Sequence, residues 1–288
     1  MAKSYTNFIP TLWSASLLSN LDKNLVYANL VNRDYQGEIT RFGDTVKIQQ
    51  FGGVTISNYD PATGLSAAEK PTSYTQSLAI DQAKSFNFKA DSIEMAQSNI
   101  NIMNKAMERA AYAMADVIDQ YIAAFYTGID TSMMIGDDTT PKSVTALNAY
   151  DLIVDAGVAL TEKNIPVTGR WIVIPAWYHG LLLKDDRFIK YTDIGQGVMY
   201  NGMVGKVSGF DVYVSNNVPN TTGTKYKIMA GTNDAITYAG QVTEIDAYRP
   251  ENFFADAIKG LYVYGAKLLK DTTDTGSKRI ALITANKG

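Results

Sequence analysis

The sequence predicts an α+β fold on three observations. Val46 and Ile48 alternate with Thr45 and Lys47, and Tyr74, Gln76, Leu78 and Ile80 share one parity, so two stretches carry the period of two that belongs to strands. Between Ile93 and Phe125 the apolar residues step by threes and fours, the repeat of one helix face. Beyond Lys142, helical spacings interleave with short β-branched and aromatic runs, as in a compact mixed domain.

The opening FIPTLWSASLLSNLDKNLVYANL spaces Leu12, Trp13, Leu17, Leu18 and Leu21 as an amphipathic helix, with Pro10 suited to its start. Such a leader docks on its own domain or on a neighbour. The two period-two strands form a long hairpin, because Asp60-Pro61, Gly64 and Pro71 supply turn residues between them. Two strands alone are marginally stable in water. The hairpin therefore needs a cover, and a neighbouring subunit is the simplest one. In its strongest form, this expectation is that leader and hairpin find their partners only on copies of the chain.

The helix that begins near Ser92 carries Ile93, Ala96, Ile100, Met103, Met107, Ala110, Met114, Ile118, Tyr121 and Phe125 on its stripe. It meets no glycine or proline before Gly128. At ~1.5 Å per residue it spans about 50 Å. Its three stripe methionines fit core filling better than an adaptable groove. A helix from Ser143, read as its cap, to Lys163 follows, with Leu147 on its apolar face. Next come a buried-type strand, Arg170–Ile174, stopped by Pro175, and a helix Ala176–Lys190 bearing the run Lys184-Asp185-Asp186-Arg187. Strands are expected at Asp211–Ser215, Tyr226–Ala230 and Ala235–Tyr238. Two more close the chain in ADAIKGLYVYGAKLL and RIALITA, separated by DTTDTGSK.

With 288 residues the chain can bury one large core or two modest ones. Lysine plus arginine number 26 and aspartate plus glutamate 29, a net charge of −3, so the basic excess that grips phosphates is missing. Cysteine is absent, which excludes disulfides, thiolate metal sites and cysteine nucleophiles and suits a reducing compartment. MAKSYTNFIP has no apolar signal core, and no run nears the ~18 apolar residues of a membrane span. A cytosol is the expected site of synthesis, which makes the sequon Asn220-Thr221-Thr222 a chance match.

VGKVSGFDVYVSNNVP, residues 204–219, contains a Gly-Lys pair like that of a phosphate-binding loop. Such a loop needs G-x-x-x-x-G-K-[ST] with a helix behind it. Here Lys206 precedes Val207, and the earlier glycine position is Tyr200; G-x-G-x-x-G fails likewise after Gly195 and Gly197. FDVYVS is strand-forming, so the stretch reads as two strands, KVSG and FDVYVS, with a glycine bend. His179, the only histidine, lacks an evident nucleophile, since Ser208-Gly209 sits in GKVSG and not in G-x-S-x-G. One histidine also excludes H-E-x-x-H and most zinc sites. Asp137-Asp138 and Asp185-Asp186 lack EF-hand spacing and read as solvated charges of a loop and a helix face. No catalytic residue, cofactor or metal is assigned.

The order leader, hairpin, long helix, mixed domain and closing strands, with its wording, resembles the major capsid proteins of tailed bacteriophages, which share the Hong Kong-type capsid fold. FIPTLWSASLLSNLDKNLVYANLVNRDYQGEITRFGDTVKI is similar to the family's N-terminal arm entering its extended β-hairpin loop. Ser92 to Tyr126 is similar to its spine helix, and VGKVSGFDVYVSNNVP, with Ser215-Asn216-Asn217, to a passage of its axial domain. The resemblance covers nearly the whole chain. It implies an N-terminal arm at 1–30, an extended loop at 31–84 and a peripheral domain with the spine helix at 85–141. It further implies an axial domain at 142–240, peripheral strands at 241–270, and a C-terminal strand at 271–288 returning to the axial domain.

The resemblance implies a structural coat protein, not an enzyme, that self-assembles through pentamers and hexamers into an icosahedral shell. The shell would enclose double-stranded DNA without sequence-specific binding. Scaffolding and portal proteins are implied partners, a decoration protein a further one, and a membrane none. The implied location is the virion capsid, assembled in the host cytoplasm. No long helical segment precedes the arm, so a scaffolding extension is expected to be absent, removed or separately encoded. Some members crosslink a loop lysine to a neighbour's asparagine. Lys70 and Lys84 are the lysines of the returning limb, but no partner is identifiable and that chemistry is not assigned. Trp13, Arg33, Asp34, Glu38, Arg41, Asp60 and Lys70 are expected at inter-subunit contacts, where charge sets register more than affinity. Two rival readings stand beside this one: a cellular encapsulating nanocompartment shell with enzyme cargo, and a small α/β hydrolase or transferase using the core between Lys142 and Tyr238.

Overall fold

The computed structural model describes residues 17, 18, 20, 21, 25–36, 41–51, 56, 59, 61, 70, 73–91, 102–185, 203–251, 255–270 and 276–287. In chain order the elements are helix α1 (Tyr27–Leu30), strands β1 (Thr45–Phe51), β2 (Ser73–Ala79) and β3 (Gln82–Asp91), and helix α2 (Ile102–Ala123). Strands β4 (Met134–Ile135) and β5 (Lys142–Ser143), helix α3 (Ala149–Glu162), strand β6 (Arg170–Ile174) and helix α4 (Ala176–Leu182) follow. The remainder is β7 (Met203–Val207), β8 (Phe210–Val214), β9 (Asn220–Thr221), β10 (Lys225–Thr232), β11 (Ile236–Tyr248), β12 (Ala255–Leu268) and β13 (Ile280–Asn286).

β1 and β2 pair antiparallel with Val46 opposite Leu78 and Ile48 opposite Gln76, so the shared parity in the sequence becomes one apolar face. That face is covered by the chain itself. Val46, Ile48, Leu78 and Ile80 pack against Ala239, Val263 and Leu269. The leader behaves the same way: Leu17 is buried with Met107, Ala111, Ile245 and Ile258, while Leu21 and Leu25 join the main core. The expectation that leader and hairpin find partners only on other copies is corrected for these parts. Close backbone approach makes the packing possible. A β-carbon on Gly265 of β12 would overlap the Ala79 carbonyl, so only glycine lets the hairpin root lie so near.

β11, β12 and β3 form a three-stranded antiparallel sheet, with a bulge between Val242 and Glu244. Its Phe86, Phe88, Ile245 and Ile258 face α2 and the leader. β3 was not expected as a separate strand, and β11 runs ten residues beyond the expected end at Tyr238 (248 − 238). Both extensions are polar along their outer face, which hides them from an apolar count. Helix α2 buries Met107, Met114 and Ile118 together with Ala111, Ala115 and Ile122, so its described stripe methionines fill core. Its 22 residues span about 33 Å before tightening into a 3-10 turn at Ala124–Gly128. The expected start at Ser92 lies outside the described residues.

The third sheet runs β4-β13-β10-β6-β8-β7, with β5 on β13 and β9 on β10. β6 is buried at every position, as its apolar run predicts. Helices α3 and α4 lie against this core through Leu152, Ile153, Ala156, Leu160, Tyr178 and Leu182. Here two helix boundaries are corrected. Ser143 pairs with Asn286 in a strand rather than capping a helix, and Leu147 is 83% exposed, because Thr145 and Asn148 close a turn before α3 begins. Helix α4 ends at Leu182, and Asp185, read as a solvated charge, is only 7% exposed.

Candidate functional site

The leader reaches the hairpin along a fastened path. The Val26 amide donates to Asp119 Oδ2 at 2.8 Å and the Ala28 amide to Oδ1 at 3.2 Å. Asp119 lies on α2 and is 1% exposed. Burial pushes its carboxyl up to about 6; the amides of Val26, Ala28 and Tyr27 pull the other way, and Asp116 adds to the rise. Farther on, Asn32 N–H donates to Ile236 O at 2.9 Å and Tyr238 N–H to Asn32 O at 2.8 Å, stitching the segment to β11.

The residues expected at subunit contacts fall into separate local settings. Arg33 is half-buried, and its Nη1 donates to Asn29 Oδ1 at 3.0 Å, one turn back. Asp34 is exposed, with its amide donating to Asn32 Oδ1 at 2.8 Å. Arg41 is exposed where the hairpin leaves the body, its amide held by Asp44 Oδ2 at 2.7 Å. Lys70 is exposed ahead of β2. Trp13, Glu38 and Asp60 lie outside the described residues. Lys84 stands on β3 opposite Tyr262, within the three-stranded sheet.

Two surfaces stand open around these anchors. The hairpin's outward side shows Thr45, Lys47, Gln49, Thr75 and Ser77 to solvent. Next to its root, the three-stranded sheet exposes Ser85, Asn87, Glu244 and Lys259 around a shallow cavity of about 260 Å³. Lys259 lies 3.4 Å from Asp246, and Asn87 Nδ2 donates to Tyr248 Oη at 2.9 Å. These are polar, adaptable contacts of the kind found at interface rims.

The residues screened for chemistry have structural settings. Gly205 and Lys206 lie in β7, and Ser208 (φ 47°) and Gly209 (φ 85°) make the two-residue turn into β8 that positive φ at both positions allows. Lys206 faces Asp211 across that turn at 3.1 Å. Among the described residues no helix N-terminus is present there to hold a phosphate. His179 is half-buried on α4, and burial lowers its pKa, favouring the neutral ring. Asp138 accepts from Lys227 Nζ, itself 3% exposed, at 2.6 Å, and that contact holds the carboxyl below its usual range. Asp137 instead caps a turn through the amides of Thr139 and Thr140. Among the described residues no group of three His, Asp or Glu side chains is placed to hold a metal, and no helix is long and apolar enough to cross a membrane.

Sequence reasoning missed Asp119, Arg170 and Lys227, three charged groups that are buried. One signal was present for the first: Asp119 falls between Ile118 and Ile122, on the side of the helix repeat that also carries Ala115.

The family model for phage capsid proteins matches residues 73–274 of this chain. The chain belongs to the phage capsid protein family. It is a structural major capsid protein with the Hong Kong-type α+β fold. Among solved structures, this capsid protein is similar to one from Mycobacterium phage Che8, at 26% identity over 90% of each chain, with a TM-score of 0.65. It is also similar to the capsid of Ralstonia phage GP4, with a TM-score of 0.70 at 12% identity over 93% of this chain and 91% of that one. A virus-like particle from Pyrococcus furiosus shares the fold at a TM-score of 0.57 and 11% identity, over 96% of this chain and 99% of that one. No curated protein matches the chain.

Proposed function

We propose that the chain closes into pentamers and hexamers of an icosahedral shell around double-stranded DNA, and does so without catalysis or cofactor. The hairpin carries this reading. Its root is held on β12 by four buried apolar side chains, each contributing roughly 1.5–3 kcal/mol. Its outward face remains polar and exposed, and both its strands pair only with each other among the described residues. A two-stranded ribbon anchored at one end is marginal along its length, so a second copy is the cover it requires. A closed shell repeats one heterologous contact, and many weak contacts together give avidity while leaving errors reversible.

In this reading residues 1–30 form the arm, 31–84 the extended loop, 85–141 and 241–270 the peripheral domain, and 142–240 with 271–288 the axial domain. Arg33, Asp34, Arg41 and Lys70, with Trp13, Glu38 and Asp60, lie at contacts between copies. Scaffolding and portal proteins assist assembly in the host cytoplasm, and a decoration protein is a further partner. The net charge of −3 suits a wall that confines DNA without gripping it by sequence. A compartment shell that encloses protein is the second reading, and the Pyrococcus furiosus virus-like particle shares the fold on which it would be built.

Sizing the chain recovered from infected cells separates these from a soluble enzyme: both shells require megadalton particles, and a stable monomer or dimer there rejects both. Nucleic acid in particles recovered from infected cells supports the first shell, and enzyme cargo the second. Arg41→Glu is expected to give misassembled particles by electron microscopy, and normal shells from that variant would remove Arg41 from the contact set.

A further inference from the structure

Asp119 is an acid in the buried side of a helix. It follows Ile118, precedes Ile122 by one turn, and receives the amides of Val26 and Ala28 on its two oxygens. Those amides belong to the first turn of α1, a helix of four residues whose N-cap position is Val26, with no side chain able to accept. Asp119 therefore supplies, from another element, the acceptor that the turn lacks. Among the described residues no lysine, arginine or histidine pairs with it. The titratable groups that bear on it are Asp116, one turn earlier on α2, and the Tyr27 hydroxyl on α1; an anion at either position opposes its charge.

We propose that Asp119 is a proton-coupled latch, whose carboxyl group fastens the root of the arm, residues 25–30, to the spine helix with a strength set by whether that group holds a proton. A carboxylate buried without a counter-cation is disfavoured when docked and relieved when undocking returns it to water. In the docked state burial pushes the carboxyl up to about 6, and undocking, which returns it to water, lowers it towards the ordinary carboxylate range. The docked state thus takes up the proton first, so docking strengthens as pH falls from about 6 towards 4 and is weakest above 6. A protonated carboxyl still accepts through its carbonyl oxygen, which keeps the turn capped. The root continues the buried leader residues Leu17 and Leu21 and leads to the Asn32 bonds on β11. Under the shell reading, on which this last step rests, the latch sets how freely the arm reaches a neighbour.

Amide hydrogen exchange on the full-length chain at pH 5 and pH 7.5, corrected for intrinsic rates, tests the latch, with β10 as internal reference. Wild type is expected to protect residues 25–30 about tenfold more at pH 5 than at pH 7.5, relative to β10. Asp119→Asn keeps an acceptor but cannot ionise, and should show protection that does not change with pH. Asp119→Ala should lose protection at both; if it fails to fold, the Asn variant still decides. Equal wild-type protection at the two pH values, or a wild-type slope in Asp119→Asn, overturns the proposal. The readout is local to one chain, so its failure leaves the shell reading standing, and a chain that forms no particles can still pass it.

Discussion

Arg170 is buried, and among the described residues no acid pairs with it. At 2% exposure its guanidinium donates to Pro166 O at 2.8 Å, Gly157 O at 3.0 Å, Thr161 Oγ1 at 3.1 Å and Ile165 O at 2.6 Å. Pro166 O and Ile165 O belong to the loop after α3, while Gly157 O and Thr161 Oγ1 lie in its last two turns, near the negative end of the helix. The Phe210 ring lies 5.9 Å from the guanidinium carbon. Burial lowers the pKa of Arg170 but leaves an always-charged group charged. Only a planar fork can serve four acceptors at once. Arg170→Lys is therefore expected to destabilise the chain by roughly 2–4 kcal/mol, read as a shift in the urea midpoint of unassembled protein. A loss under about 1 kcal/mol would mean that water or backbone movement satisfies those carbonyls instead.

At the scale of elements, β12 is the hinge of the design, because it presents one face to α2 and the leader and the other to the hairpin root. Gly265 decides whether the second contact forms. Gly265→Val places a β-carbon against the backbone of Ala79 and Ile80, which cannot yield as a side-chain tip would. Overpacking of this kind costs typically 1–3 kcal/mol. The expected outcome is faster amide exchange across Val46, Ile48 and Leu78 with β10 and β13 unchanged; full protection of β1 and β2 in that variant would show the root does not depend on this approach. The pairing of β1 with β2 was legible because side-chain alternation is local. β3 was not, since Phe86 and Phe88 alternate with Ser85, Asn87 and Lys89 but show which sheet they join only when β12 lies alongside.

At the scale of the molecule, one chain folds around its own leader and hairpin root, and in the proposed shell the contacts fall to what is left outside. This separates folding from assembly. Phe51 pairs with Ser73, so replacing residues 52–72 by Asn-Gly closes the ribbon with a two-residue turn. That variant is expected to melt within a few degrees of wild type, as roughly ±0.5 kcal/mol surface changes do, yet to form no shells by size-exclusion chromatography. Shells of normal size from the shortened chain would place the assembly contacts elsewhere.

The succession of hairpin, long helix, mixed domain and closing strands, the faces of β1, β2 and α2, the buried run of β6 and the glycine bend after Ser208 were determined by the sequence alone. Each depends on periodicity or on backbone preference within a few residues, and so does the absence of a phosphate loop. Family membership was legible differently, as a resemblance in the order and wording of whole segments to phage capsid proteins. What only the tertiary structure decided was which chain covers the apolar faces and which charges are taken from water. Asp119, Arg170 and Lys227 look like ordinary surface charges in one dimension. Their acceptors and donors come from residues as far as 93 positions away, and desolvation exists only once the fold has brought them together.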